Sequence, residues 1–162
     1  MPMMKFDVLL ESEGTNNAKF RNDCTVHLRG AAPHTAFLPS DEGAYHGGDG
    51  TAPYPLSYFV SGLTTCLMTQ IRAFSRRLGI NVTTFDVFCR AEWQAEMESM
   101  KHPYESKGLG FVLDVDIRGE ATVEDKTRLI LAAAKGCFVE VILKPGLVKH
   151  RLKVDGEWVE LD

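Results

Sequence analysis

With 162 residues, 44% of them hydrophobic and 25% charged, the chain has the size and composition of one soluble globular domain, spanning 1–162. A net charge of −4 and a pI near 5.7 speak against the clustered basic face of a nucleic-acid binder. MPMMKFDVLLESEG reaches Asp7 before a secretory apolar core could form, and the uncharged run from Gly50 to Ile71 carries Pro53, Pro55, Ser, Thr and Gln70, so a cytoplasmic protein with a buried helix is expected, not a membrane span.

In chain order, Lys5 to Leu10 reads as a first strand and Glu13 to Asn17 as a turn. Phe20, Cys24, Val26 and Leu28 share one parity, with Arg21, Asp23, Thr25, His27 and Arg29 on the other, as in a half-buried hairpin strand. Pro39 to Pro53 is loop, with glycines at 43, 47, 48 and 50 but no GKS/T ending of a phosphate loop. Leu56, Phe59, Val60, Leu63, Leu67, Ile71, Phe74 and Leu78 then follow helical spacing, with Arg72, Arg76 and Arg77 in the last turns and Gly79 as the stop.

Asn81 to Trp93 alternates as a strand, with Phe85, Val87, Cys89, Ala91 and Trp93 inward. Ala95 to Ser106 reads as a polar connection to a partner strand holding Phe111, Leu113, Val115 and Ile117 inside and Asp114, Asp116 and Arg118 outside. Thr122 to Asp125 resembles a capping box for a helix that Gly136 can stop. Beyond it, Cys137 could open a second short helix, although FVEVIL could equally form a strand. Val148 to Val154, the turn Asp155-Gly156 and Trp158 to Leu161 form a closing hairpin. The order predicts an α+β fold with helices packed on antiparallel sheets.

The chemistry rests on four cysteines. No CxxC or HxxxH spacing occurs and the five histidines are scattered, so neither a metal site nor a cofactor is expected. Cys89 and Cys24 lie on apolar strand parities and read as small buried hydrophobes. Cys66 shares a helix face with Phe59, Gly62, Leu63, Gln70 and Ala73; a mid-helix glycine one turn back costs about 1 kcal/mol relative to alanine and commonly permits a close approach. Cys137, at the start of a helix, would have its thiolate favoured by unpaired N–H groups.

DGTAPYPLSYFVSGLTTCL (Asp49 to Leu67) together with AAAKGCFVEVIL (Ala132 to Leu143) resembles the OsmC/Ohr family, the osmotically inducible protein C and organic hydroperoxide resistance proteins. The resemblance implies an intertwined homodimer built around the long helices, with reactive sites between subunits. It implies a thiol-dependent peroxidase for organic hydroperoxides, Cys66 as the attacking cysteine, Cys137 as the resolving cysteine and a lipoyl-type dithiol as reductant. It also implies a catalytic arginine from the early strands: Arg21 fits best and Arg29 is the fallback, with Phe59, Gly62 and Leu63 beside the thiol. In hydroperoxide-reducing members a glutamate follows the helix proline and holds that arginine. Here Leu56 follows Pro55, as in the broad OsmC-like branch, and Asp49 or Glu42 could stand in for the glutamate. The departure supports an alternative: a small-ligand-binding or redox-sensing protein with weak or no peroxidase activity. A hydrolytic Cys–His pair ranks last, since no histidine lies near either motif.

Overall fold

The structure, a computed structural model, describes residues 5–30, 32–99 and 101–161. Among the described residues the chain is α+β, with two sheets and two α-helices, and it divides into two compact units, Met1–Phe59 and Val60–Asp162.

The first unit is built on a three-stranded antiparallel sheet: β1 (Leu9–Ala18), β2 (Arg21–Arg29) and β3 (His34–Phe37). The first strand therefore lies later than the sequence predicts, and Glu13–Asn17 is strand, not turn. Each of Leu9 to Asn16 has a partner on β2, so pairing satisfies a polar backbone that local composition assigns to a turn. The reversal falls at Lys19-Phe20, where Lys19 takes φ 46°, and Asn16 Nδ2 closes it by donating to the carbonyls of Lys19 and Arg21 at 3.3 and 3.1 Å. The loop after β3 holds one 3-10 turn, Ala44–His46.

Helix α1 (Pro55–Leu78) opens on proline at its first position, where no N–H is missed. Leu63, Leu67, Ile71 and Ser75 form its buried stripe, and Gly79 ends it with φ 66°. The second unit continues with β4 (Thr84–Glu96), β5 (Glu105–Arg118), α2 (Val123–Gly136), β6 (Val148–Val154) and β7 (Glu157–Leu161), with sheet order β4-β5-β6-β7. The strands β4 and β5 outrun their expected ends, shortening the connection expected from Ala95 to Ser106. The chief difference is the parallel pairing of β5 with β6: α2 is a crossover between parallel neighbours, so this sheet is mixed, not antiparallel. The closing turn places Asp155 at φ 51° and Gly156 at φ 92°, the signs a type I′ hairpin requires.

Two further expectations change. Asp114 is buried, not outward, because Arg151 on β6 meets it with both arms, Nε–Oδ1 at 2.6 Å and Nη2–Oδ2 at 2.5 Å. Cys137 does not open a helix. It caps the C-terminal end of α2 with extended backbone, donating its N–H to Ala134 O at 3.1 Å, and the following 3-10 turn is Glu140–Ile142. Thr122 caps the other end of α2 as the sequence predicts, its Oγ1 accepting from Asp125 N at 3.1 Å. Gly136 is the last residue of α2, so the helix ends where the sequence expects it to. A β-carbon there would stand 2.7 Å from Phe74 Cζ, so the glycine also permits a close approach to α1.

Candidate functional site

Cys66 lies in the middle of α1, flanked by the fully buried Leu63 and Leu67. Its own side chain is half-buried. The threonines around it turn their hydroxyls back onto the helix: Thr64 to Val60 O at 2.8 Å, Thr65 to Ser61 O at 2.7 Å and Thr69 to Thr65 O at 2.9 Å. Gly62, one turn earlier, has no atom within 4 Å of where a β-carbon would sit, so among the described residues it leaves open space. Leu63 belongs to the core, and Phe59 is half-buried.

The thiols of Cys137, at the end of α2, and of Cys66 lie close enough to interact, Cys66 helping to raise the pKa of Cys137. The two cysteines, remote in sequence, are thus neighbours in the second unit. Cys137 has no exposed surface, and burial pushes its thiol up to about 11. The backbone N–H groups of Glu140 and Val139 point at its sulfur and oppose that rise, while its contact with Cys66 adds to it. Cys137 therefore keeps its proton at neutral pH, contrary to the expectation that a helix start would acidify it; the C-terminal end of a helix disfavours an anion. The turn after it is tied down by Val141 N to Cys137 O at 3.1 Å and Leu143 N to Glu140 O at 2.9 Å. The Glu140 side chain meets the buried His150 of β6 at 3.2 Å.

Cys89, on β4, faces Thr64 of α1, and burial raises its thiol pKa. Cys24 is half-buried on β2 of the first unit.

The two arginines differ sharply within the first unit. Arg21 is gripped on both sides of its fork. Its Nε and Nη2 each lie 2.8 Å from Asp23 Oδ1, and Nη1 donates to Thr51 O at 3.2 Å and Thr51 Oγ1 at 3.0 Å. Thr51 is itself fixed by Asp41 Oδ2, which accepts from its N–H at 3.0 Å and from its hydroxyl at 2.8 Å. Asp41 is 1% exposed, and donation from the Thr51 N–H, followed by its hydroxyl, holds its carboxyl below the usual range. The other Asp23 oxygen accepts from Asn17 Nδ2. Arg29, by contrast, lies on the surface with Glu11, Nε to Oε2 at 2.6 Å.

The carboxylate holding Arg21 is thus Asp23. Asp49 pairs with Lys19 at 2.6 Å and Glu42 with His46 at 3.3 Å, so neither replaces the glutamate absent at Leu56. Sequence reasoning passed over Asp23, Thr51, Asp41 and the amides of Val139 and Glu140. Only Asp23 carried a local signal, since two positions along a strand is the same face.

The family model for OsmC-like protein matches residues 48–151. Among solved structures, an OsmC-like hydroperoxide resistance protein from Jannaschia sp. CCS1 is similar at 36% identity, covering 94% of this chain and 97% of that one, with a TM-score of 0.54. An organic hydroperoxide resistance protein OsmC from Legionella pneumophila shares the fold at 18% identity, coverage of 93% and 97%, and TM-score 0.60. One from Elizabethkingia anophelis does so at 15% identity, coverage of 95% and 100%, and TM-score 0.62. No curated protein matches the sequence. Among the described residues no helix is long and apolar enough to cross a membrane.

Proposed function

This chain belongs to the OsmC-like protein family, and from that membership and its paired thiols we propose that it is a thiol-dependent peroxidase reducing organic hydroperoxides. The single observation that carries the reading is the meeting of Cys66 and Cys137. The 36%-identical relative from Jannaschia is an OsmC-like hydroperoxide resistance protein, which supports the same chemistry here.

In this reading the Cys66 thiolate attacks one oxygen of the hydroperoxide. An S–O bond forms, the O–O bond breaks, and the alkoxide leaves as the alcohol after taking a proton. The resulting sulfenic acid is attacked by the Cys137 sulfur; an S–S bond forms and water departs. A lipoyl-type dithiol then returns two electrons to the protein. The asymmetry of the pair supports this division of roles, because Cys137 keeps its proton and its S–H can donate toward Cys66. Arg21 is assigned the catalytic role in preference to Arg29, because Asp23 and Thr51 hold its guanidinium in a fixed, part-buried position whereas Arg29 lies on the surface with Glu11. Phe59 and Gly62 offer the substrate surface on the helix face of Cys66, with Leu63 beneath as support.

We read both units as one OsmC-like domain over 1–162, acting in the cytoplasm as an intertwined homodimer. The first unit supports the dimer: Phe6, Leu9, Leu10, Phe20, Phe37 and Tyr45 are all exposed, and a second copy of this chain would cover such side chains.

The test is turnover of cumene hydroperoxide with dihydrolipoamide. Wild type consumes hydroperoxide catalytically, Cys66→Ser not at all, and Cys137→Ser for a single equivalent. Retention of both thiols after exposure would refute the reading. A second reading, a redox sensor or small-ligand binder, is favoured by Leu56, and oxidation without turnover would select it.

A further inference from the structure

The sulfurs of Cys66 and Cys137 differ in access and in what holds them. Cys66 is half-buried on a helix face with open space over Gly62. Cys137 has no exposed surface and is wrapped by its own turn. The amides of Val139 and Glu140 point at its sulfur, the turn is closed by Val141 N to Cys137 O and Leu143 N to Glu140 O, and the Glu140 side chain is anchored on His150.

We propose that a reducing thiol enters the oxidised protein at Cys66 Sγ and that Cys137 is the leaving sulfur. This rests on the reading above that the two cysteines form the disulfide. An incoming thiolate must reach one sulfur in line with the bond it breaks. At Cys66 the attack needs no rearrangement of the turn. At Cys137 it would require the turn to open and His150 to lose Glu140. In the step at Cys66, a new S–S bond forms to the reductant and the Cys66–Cys137 bond breaks. Its electron pair goes to Cys137 Sγ, where two N–H groups receive the charge until a proton arrives from solvent or from the reductant's second thiol. That second thiol then attacks the reductant sulfur joined to Cys66, closing the reductant's own disulfide and releasing the Cys66 thiolate.

One effect runs the other way, because a high-pKa thiol is a poorer leaving group. The rise of Cys137 from 9.0 to about 11 therefore slows its departure. A sulfur with no surface gives an attacking thiol no encounter until the turn opens, so access decides.

The test uses the full chain and an oxidant other than hydroperoxide. Diamide forms the disulfide, a brief pulse of 2-mercaptoethanol opens it, and acid quenching, alkylation and peptide mass mapping locate the adduct. The proposal expects mercaptoethanol on Cys66 and the alkyl label on Cys137, in at least about tenfold excess over the reverse, an excess that access supplies against the opposing effect of the leaving-group pKa. An adduct on Cys137, or an even split, overturns this proposal and leaves the thiol pair standing. Failure of diamide to join Cys66 to Cys137 overturns both.

Discussion

In the first unit, the side chains buried among the described residues are not apolar: Asp41 is sealed under Thr51 and the Glu42 amide, and Gly48 is the other buried residue. In the second, every buried position from Leu63 to Leu152 except Ser75, Asp114 and His150 is hydrophobic. One unit is ordered by a paired sheet and a hydrogen-bonded loop that turn apolar groups outward. The other carries its own hydrocarbon core. Each holds one of the proposed groups in its own way: Arg21 is fixed by hydrogen bonds in the first, and Cys137 is buried beside the half-buried Cys66 in the second.

Deleting apolar bulk should therefore act differently on the two sides. Leu113→Ala, at a fully buried position of β5, should cost about 3 kcal/mol in chemical denaturation. Phe37→Ala, at a position 59% exposed, should cost under about 0.5 kcal/mol in a monomer and instead shift the oligomeric mass in sedimentation. A large stability loss from Phe37→Ala without a change in mass would break the contrast.

The electrostatic half can be sharpened with the hydrogen bonds around Arg21. Bonds to charged groups contribute roughly 1.5–3 kcal/mol, so Arg21→Met should slow oxidation of Cys66 by about ten- to a hundredfold. Thr51→Val keeps the charge but removes one anchor, and should slow it by about three- to tenfold, with rescue by Thr51→Ser. Stopped-flow oxidation separates these from Arg29→Met, which should stay near wild type.

The smallest effects lie at opposite ends of the pH scale. The folded Cys137 thiol is raised to about 11 from 9.0. Between those values the unfolded chain loses a proton that the folded chain keeps. The stability Cys137 contributes is whole below pH 9 and is lost as pH rises toward 11, with a slope of at most about 1.4 kcal/mol per pH unit. Cys137→Ser should flatten that slope. Asp41 is shifted downward, so its contribution is present above its ordinary value near 3.8 and is lost as pH falls through the folded value. Asp41→Asn should flatten the acid side only.

What was legible in the sequence follows the same divide. Helix α1, β4, the Thr122 cap and the Asp155-Gly156 turn declare themselves through local periodicity and turn chemistry, and the two motifs marked Cys66 and Cys137. Local composition misplaces the β1–β2 hairpin because cross-strand pairing overrides the turn-like Glu13–Asn17. The parallel β5–β6 pair leaves no mark in the sequence because strand direction depends on how α2 crosses, which no periodicity reports. Alternation places Asp114 outside because it cannot register an arginine arriving from β6. The grip of Thr51 and Asp41 on Arg21 joins residues far apart in the chain and leaves no local trace.

The proposed chemistry turns on the thiol pair, and the direct measurement is peptide mass mapping of reduced protein after one equivalent of cumene hydroperoxide. A single disulfide joining Cys66 to Cys137, one per hydroperoxide consumed, with Cys24 and Cys89 still alkylatable, is the predicted result. Cys66 and Cys137 both recovered as free thiols, or a disulfide formed through Cys24 or Cys89 instead, would contradict it.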